Sequence, residues 1–340
     1  MQGESLVRRR DICRTATGEG LATDHARGNE MSEQLKKHRL GWVGIGRMGY
    51  AMAERLAKAG CDLTVYNRTR EKAEPLAKHG AKIVGRPADL ASCDIVFTMV
   101  STGDDVKEVL EGKDGVLAGN GKPKMIVDST SISIEDSAAI RQSLAARGVK
   151  LLAAPVSGNA KVIKAGKLTY CISGPADAYE VAKPYLDVIG AGASYVGEGE
   201  LSRIAKIAHN VFLAVTIQSL AEVTILAQKA GMTRAAFLDF LNKSVMGSTF
   251  SKYKTPALVN LDMSVTFTPA LLRKDIDLGL AAGRELDVPM PLTAITRDLV
   301  QTLIGNGYGA EDFAALIKLQ ARASGIELKS ENTPVTDGLH

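Results

Sequence analysis

The chain has little cysteine. Four residues, Cys13, Cys61, Cys93 and Cys171, are spread over 340 positions without a C-x-x-C pair. That spacing argues against a disulfide framework or a zinc knuckle, and it fits a reducing, cytoplasmic compartment. Charge of one sign is also scarce. Lys plus Arg number 42 against 38 Asp plus Glu, and a net +4 is too small an excess to argue for a nucleic-acid partner. An unbroken hydrophobic run is missing as well. The greasiest stretch, 204–232, is interrupted by Lys206, His209, Asn210, Gln218 and Glu222. A membrane span needs about 20 mostly apolar residues, so a helix buried in protein is expected there, with no membrane partner. Hydrophobic residues at 45% and charged residues at 24% rule out disordered, collagen-like and fibrous chains.

What is present divides into segments. At ~150 residues per domain, the length predicts two domains. Residues 1–39 contain Arg8-Arg9-Arg10 and no sustained apolar period. A disordered extension, or a translation start placed ahead of the true one at Met31, is expected. An Arg-rich transit peptide is the rival, and Glu4, Asp11, Glu19, Asp24 and Glu30 count against it. From Leu40 the pattern is regular. Short apolar runs at 40–44, 62–66, 95–100, 125–128 and 151–154 read as strands. Helical patterns at 48–59, 70–79, 104–110 and 133–147 lie between them. Gly60 and Gly80 sit where a helix end favours a left-handed residue. Such alternation predicts a doubly wound α/β domain over 40–199. After Gly199 only helical patterns follow, at 201–230, 233–243, 269–285, 291–306 and 312–323. An all-α domain over 200–326, for substrate and subunit contacts, is expected, then a loose polar tail over 327–340.

Gly44-Ile45-Gly46-Arg47-Met48-Gly49 satisfies G-x-G-x-x-G after a predicted strand and at the start of a predicted helix. In that context each glycine has a task. Gly44 permits the tight turn, Gly46 lets a pyrophosphate approach the backbone, and Gly49 lets helix and strand pack closely. Free N–H groups at the helix start complete an anion site. The first half is therefore expected to be a Rossmann dinucleotide-binding domain. The second strand ends in Asn67-Arg68-Thr69, where an NAD site usually carries an acid. Arg68 would pair with a 2′-phosphate, and Asn67 and Thr69 could donate hydrogen bonds, so NADP(H) is expected, with NAD possible. The alternative is that Arg68 is a solvated surface charge. Val100, Ser101 and Thr102 end the third apolar strand, and Ser129, Thr130 and Ser131 follow the next. These ends lie where ligands bind in open α/β sheets, although capping of the following helix explains each hydroxyl equally well. No metal site is expected.

Five motifs occur in a fixed order: Gly44–Gly49, Asp128-Ser-Thr-Ser131, Pro155-Val-Ser157-Gly158, Lys206-x-x-x-Asn210 and Lys274-Asp275. Over about 40–323 this order resembles the β-hydroxyacid dehydrogenase family, which includes 3-hydroxyisobutyrate dehydrogenases and glyoxylate/succinic semialdehyde and tartronate semialdehyde reductases. The resemblance implies a Rossmann domain joined to a helical domain, assembly into a homodimer or homotetramer, and a small anionic hydroxy acid or semialdehyde as substrate. It implies that Ser157 and Gly158 contact the substrate carboxylate and that Lys274 lies near the nicotinamide. Chemistry supports Lys206 as the acid–base group. A lysine normally titrates near 10.4, and desolvation or a nearby cation lowers that value. Asn210, four residues on, shares its helix face and can orient substrate or lysine. Asp275 would orient or neutralise local lysines. His209, three residues from Lys206, is the competing acid–base group, and a packing role is expected for it because the family usually has asparagine there.

The chain also departs from that pattern. Asn159 follows Ser157-Gly158 where a second glycine is usual. Glu200 and Ser202 replace common glycines. Lys161, Lys164 and Lys167 are evenly spaced, which admits either a doubly anionic substrate or a solvated loop. The stretch 246–250 admits either a pocket-closing segment or an interhelical turn. Two other functions stay open: imine reduction on the same scaffold, and a non-catalytic dinucleotide-binding module.

Overall fold

The computed structural model describes residues 33–339; the expectations for 1–32, Met31 included, lie outside the described residues. Residues 33–36 form one helical turn. Leu35 is buried in the first core, and the Gln34 carbonyl accepts from the Tyr185 hydroxyl at 3.2 Å. The loose extension expected through residue 39 is thus already packed from 33 onward.

Strands β1 (Leu40–Val43), β2 (Leu63–Tyr66), β3 (Lys82–Ile83), β4 (Ile95–Thr98), β5 (Met125–Asp128) and β6 (Lys150–Ala153) form a parallel sheet. Its order is β3-β2-β1-β4-β5-β6, the doubly wound arrangement. Helices α1 (Arg47–Lys58), α2 (Gly103–Glu111) and α3 (Ile134–Ala146) connect the strands. Strands β1, β4 and β5 are buried at every position, which explains their unbroken apolar runs. Period-2 alternation sends Leu40, Trp42, Ile95, Phe97, Met125 and Val127 into one core, and Val43, Val96, Ile126 and Leu151 into the other. Trp42 stacks on Phe97 at 5.4 Å between centroids.

Two expectations change here. The helix expected over 70–79 is two 3-10 stretches, Arg70–Lys72 and Glu74–His79. Pro75 has no N–H to donate, so one continuous α ladder cannot run through it. Beyond β6, where no element was expected, lies a second sheet of β7 (Val156–Ser157), β8 (Thr169–Ile172) and β9 (Gly192–Tyr195). With it come α4 (Ala160–Lys164) and α5 (Ala176–Ile189), and Pro184 interrupts the helical signal of the latter.

From Leu201 the described chain holds no further strand. Helices α6 (Leu201–Lys229), α7 (Arg234–Lys243), α8 (Thr249–Asn260), α9 (Pro269–Glu285), α10 (Pro291–Leu303) and α11 (Leu316–Ala323) build the second half. The expected helix over 291–306 ends at Leu303, where a π-type turn over Ile304–Tyr308 follows. Helix α8 was not expected, because Pro256 lies inside it; the Ser248 hydroxyl caps it by accepting from Ser251 N at 3.0 Å. In α6, Ile207, Val211, Ala214, Ile217, Ala221 and Ile225 make a stripe of helical period. By length and composition α6 would span a membrane, but that stripe is packed against α9, α10 and α11.

The tail past 326 has no regular structure, yet it is not loose. The Glu331 carboxylate accepts from the free amides of Arg234 and Ala235 at the start of α7, at 2.7 and 3.0 Å. Asn260 and Thr333 exchange two bonds, Lys167 donates to the Gly338 carbonyl at 3.2 Å, and Leu339 is buried. Backbone groups, which the side-chain pattern does not reveal, tie this segment down.

A buried ion pair joins the two halves. Arg203, in the first turn of α6, reaches Asp128 at the end of β5 at 2.5 Å, and both side chains are about 2% exposed or less. Arg203 also donates to the Thr130 carbonyl and to Ser137 Oγ. Breaking such a pair from one side leaves a buried charge and costs about 3–5 kcal/mol. Arg203→Met is therefore expected to lose about that much in urea denaturation, and adding Asp128→Asn to recover most of it. An equal loss in the double variant would refute the pairing argument.

Candidate active site

The first part of the site is the turn after β1. Gly44 adopts φ +97°, and a Cβ on it would stand 2.2 Å from the Met99 carbonyl oxygen. A Cβ on Gly49 would stand 2.0 Å from the Gly44 carbonyl oxygen, so α1 packs directly on the turn. Trp42 Nε1 donates to that same carbonyl at 3.0 Å. Gly46 differs from both. It caps α1, and a Cβ on it would meet nothing within 4 Å. Open space beside a helix start lined with free N–H groups fits a dinucleotide pyrophosphate, which Gly46, Arg47, Met48 and Gly49 would hold through their backbone.

Asn67 takes a structural role that the sequence does not announce. Its Oδ1 accepts from Ile45 N at 2.8 Å, and its Nδ2 donates to the Thr69 carbonyl at 2.8 Å. The amide thus braces the glycine turn, and the second N–H of Nδ2 is left for solvent or a ligand. Arg68 and Thr69 are exposed, and Arg68 makes no ion pair or hydrogen bond among the described residues. Thr102 is a helix cap, accepting from Asp105 N at 3.1 Å, whereas Ser101 is exposed. Thr130 is buried; its hydroxyl accepts from Val100 N at 3.1 Å. Ser131 is exposed and near Lys274, whose Nζ lies 3.5 Å from the Ser131 carbonyl.

The second part is a polar cluster on α6. Lys206 Nζ donates to Asn210 Oδ1 at 2.7 Å, and Asn210 Nδ2 donates to buried Asp275 of α9 at 2.6 Å. Lys274 Nζ lies 3.5 Å from the other Asp275 oxygen. His209 Nδ1 stands 2.9 Å from Asn210 Oδ1, and its Nε2 stands 2.9 Å from Ser157 Oγ in β7. Burial lowers the Lys206 pKa to about 8, against the opposing pull of Asp275. Burial, with the charge of Lys206, also holds His209 below its ordinary value. Ser131, Pro155, Lys206, Asn210 and Asp275 line one small cavity between the sheet end and α9. Such a cavity, with an amine that changes protonation near pH 8, can exchange a proton with a bound molecule.

Gly158 adopts φ +133°, and a Cβ there would press Val162 at 2.8 Å, so a side chain at this bend is excluded. Asn159 caps α4, its Oδ1 accepting from Lys161 N and Val162 N. Lys161 faces a separate cavity of about 290 Å³, beside Tyr253, Lys254 and the tail. Lys167 is tied to the tail, and none of the three evenly spaced lysines lines the Lys206 cavity. Residues 244–247 form the turn between α7 and α8. Sequence reasoning missed Arg203, because one arginine in a long helix gives no sign of the strand end it reaches. It also missed the contact between Ser157 and His209, which are 52 residues apart.

Comparison with known proteins agrees with this geometry. Residues 39–197 match the family described as the NAD binding domain of 6-phosphogluconate dehydrogenase. Residues 200–320 match the family described as NAD-binding of NADP-dependent 3-hydroxyisobutyrate dehydrogenase. Glyoxylate/succinic semialdehyde reductase 2 of Arabidopsis thaliana is 30% identical over 87% of this chain and 83% of its own. The solved 3-hydroxyisobutyrate dehydrogenase of Salmonella typhimurium is 26% identical with a TM-score of 0.74, covering 83% of this chain and 99% of its own. An imine reductase from Myxococcus stipitatus shares the fold at 23% identity and a TM-score of 0.54, over 82% of this chain and 99% of its own. The chain belongs to the β-hydroxyacid dehydrogenase family. It is an NAD(P)-dependent oxidoreductase, and the hydroxyacid reading fits it better than the imine one.

The glycine turn yields a contrast. Gly46→Ala is expected to keep stability within about 1 kcal/mol, the scale of a helix-cap change. It should nevertheless weaken dinucleotide binding more than tenfold, because its methyl fills the ligand's space. Gly49→Ala should destabilise the fold itself by about 1–3 kcal/mol or more, as overpacking does. Thermal melts and fluorescence titration with NADPH check both. Unchanged NADPH affinity in Gly46→Ala would refute the assignment.

Proposed function

We propose that the protein is an NADP(H)-preferring dehydrogenase that interconverts a short β-hydroxy acid with its semialdehyde or keto acid. The observation that carries this reading is the Lys206 amine, lowered to about 8 and facing a cavity at the sheet's carboxyl edge. A silent dinucleotide-binding module has no use for a buried amine held with Asn210 and Asp275, whose desolvation costs stability.

When bound, a nicotinamide supplies or accepts the hydride. The chain's own residues handle the proton. In reduction, protonated Lys206 gives its proton to the nascent alkoxide oxygen; in oxidation, the neutral amine takes it back. Asn210 aims the amine, and Asp275 anchors Asn210. Ser157 and the backbone around Gly158 would hold the substrate carboxylate, and Lys274, beside Ser131, would border the nicotinamide end. The substrate is a small acid of the kind named in the relatives above.

Two further points belong to the proposal. Phe212 and Leu226 are 72% and 69% exposed on α6, and Leu292 and Ile295 are exposed on α10. Phe212 and Leu226 lie about four turns apart on one edge, which supports a homodimer or homotetramer built on the helical half. Cys61 and Cys93 are buried free thiols, which suits a reducing cytoplasm.

A panel of semialdehydes, glyoxylate and keto acids with NADPH and NADH tests the reading. The kcat/KM ratio should favour NADPH, and Arg68→Ala should cut that ratio about tenfold, the worth of one charge-assisted hydrogen bond. A wild-type ratio at or below one overturns the cofactor assignment. For Lys206, kcat of reduction should fall as pH rises through about 8, while kcat of oxidation falls as pH drops through it. Lys206→Met should lower kcat by about 10²–10⁴-fold without loss of thermal stability. Near-normal kcat in that variant would exclude Lys206 as the acid.

A further inference from the structure

His209 is the one titratable group of the cluster without a task in the proton transfer just described. Its hydrogen bonds are fully determined by its neighbours. Asn210 Nδ2 donates to Asp275, a carboxylate that can only accept, and Asn210 Oδ1 accepts from Lys206, an ammonium that can only donate. The amide therefore has one orientation, and its oxygen is what His209 Nδ1 faces at 2.9 Å. So Nδ1 carries a proton. In the neutral imidazole that is the single ring proton, and Nε2 is a bare lone pair. The hydrogen in the 2.9 Å contact with Ser157 then comes from the serine. With its O–H turned to His209, Ser157 is left with only lone pairs for an anion bound beside it, and these repel a carboxylate.

We propose that His209 is a proton-controlled positioning residue that decides whether Ser157 accepts from or donates to an anionic substrate. When Nε2 takes a proton from solvent, it donates to Ser157 Oγ. The serine O–H is released and turns to the carboxylate, and a positive charge now stands behind it. Binding of a carboxylate substrate is thereby linked to uptake of one proton. The groups facing the imidazole are Lys206 and Asn210 from its own helix and Ser157 from β7. Asp275 of α9 acts through Asn210, and Cys171 of β8 lies near Lys206. Lys206 and burial both favour the neutral ring in the free enzyme, so an arriving anion is what tips the balance.

This inference rests on the hydroxyacid reading, and the test separates the two. The probe is the best carboxylate-bearing aldehyde of the panel above, with an aldehyde lacking a carboxylate as control. Between pH 5.5 and 7.5, below the Lys206 titration, the wild-type KM for the carboxylate substrate should rise with pH, approaching tenfold per unit, the limit for one linked proton. KM for the uncharged aldehyde should stay flat. In His209→Gln, an amide nitrogen stands near the Nε2 position and donates at every pH, so KM for the carboxylate substrate should lose its pH dependence. Ser157→Ala should flatten the profile too, at a raised KM. A flat wild-type profile, or an unaltered slope in His209→Gln, overturns the switch while the dehydrogenase reading stands. If no panel member oxidises either nicotinamide, the dehydrogenase reading falls and the switch with it.

Discussion

The carboxylate of Asp128 and the guanidinium of Arg203 meet at 2.5 Å where the parallel sheet ends and the first helix of the second half begins. Two charges out of water are stable only when their remaining hydrogen-bonding capacity is used. Here it is. Asp128 also accepts from Thr98 Oγ1 at 2.6 Å and from Thr130 N, and Arg203 also serves the Thr130 carbonyl and Ser137. The pair consequently sets both the position and the rotation of α6 at its first turn. Lys206 follows three residues later and Asn210 two turns along, so a helix of 29 residues delivers its polar face to one place. A lysine on a freely sliding helix would carry no defined chemistry.

The same strand end also governs the cofactor side. Thr130 follows Asp128, and its hydroxyl holds Val100 N at the end of the neighbouring strand. That strand end in turn limits the glycine turn, since Met99 and Val100 leave no room for a side chain on Gly44. On the far side Asn67 closes the turn from β2. The open turn at Gly46 and the lysine that follows Arg203 are therefore referred to four adjacent strand ends, those of β2, β1, β4 and β5. Preorganisation of this kind is what allows groups from distant sequence positions to act within hydrogen-bond reach.

The sheet strands were legible because a parallel sheet buried on both faces needs uninterrupted apolar runs, and β1, β4 and β5 have them. The long helices were legible through their 3.6-residue stripes. What escaped has physical reasons. Strand β7 is two residues and α4 is five, shorter than any period can report. Pro184 and Pro256 sit inside α5 and α8, where proline reads as a break, and Pro75 turns an expected helix into 3-10 turns. The tail is polar and reads as loose, but its order comes from carbonyls and one glutamate that cap α7. In the site, the glycines, Lys206 and Asn210 could be nominated by spacing. The bracing of the turn by Asn67 was not legible, because the sequence shows an amide at a strand end and not the Ile45 amide beside it.

The positions that depart from the family pattern sort by what they touch. Glu200 is paired with Arg141 at 2.6 Å, and Arg141 also caps the carbonyls of Leu151 and Gly199. Ser202 is fully buried and bonded to Ser173 and to the Ala153 carbonyl. Both replace a glycine's flexibility with polar bonds that hold the entry to α6 against the sheet. Asn159 spends its side chain on capping α4. These changes strengthen the frame and leave the reacting groups alone. His209 is different in kind. It stands between Asn210 and Ser157, and it adds an imidazole that burial and the charge of Lys206 hold below its ordinary pKa. An asparagine there would stay neutral at every pH, whereas an imidazole would make the donor pattern around Ser157 depend on the proton and on the charge of whatever enters. The chain's distinct chemistry, compared with its relatives, is thus expected at the carboxylate end of the substrate and not at the carbon that exchanges hydride.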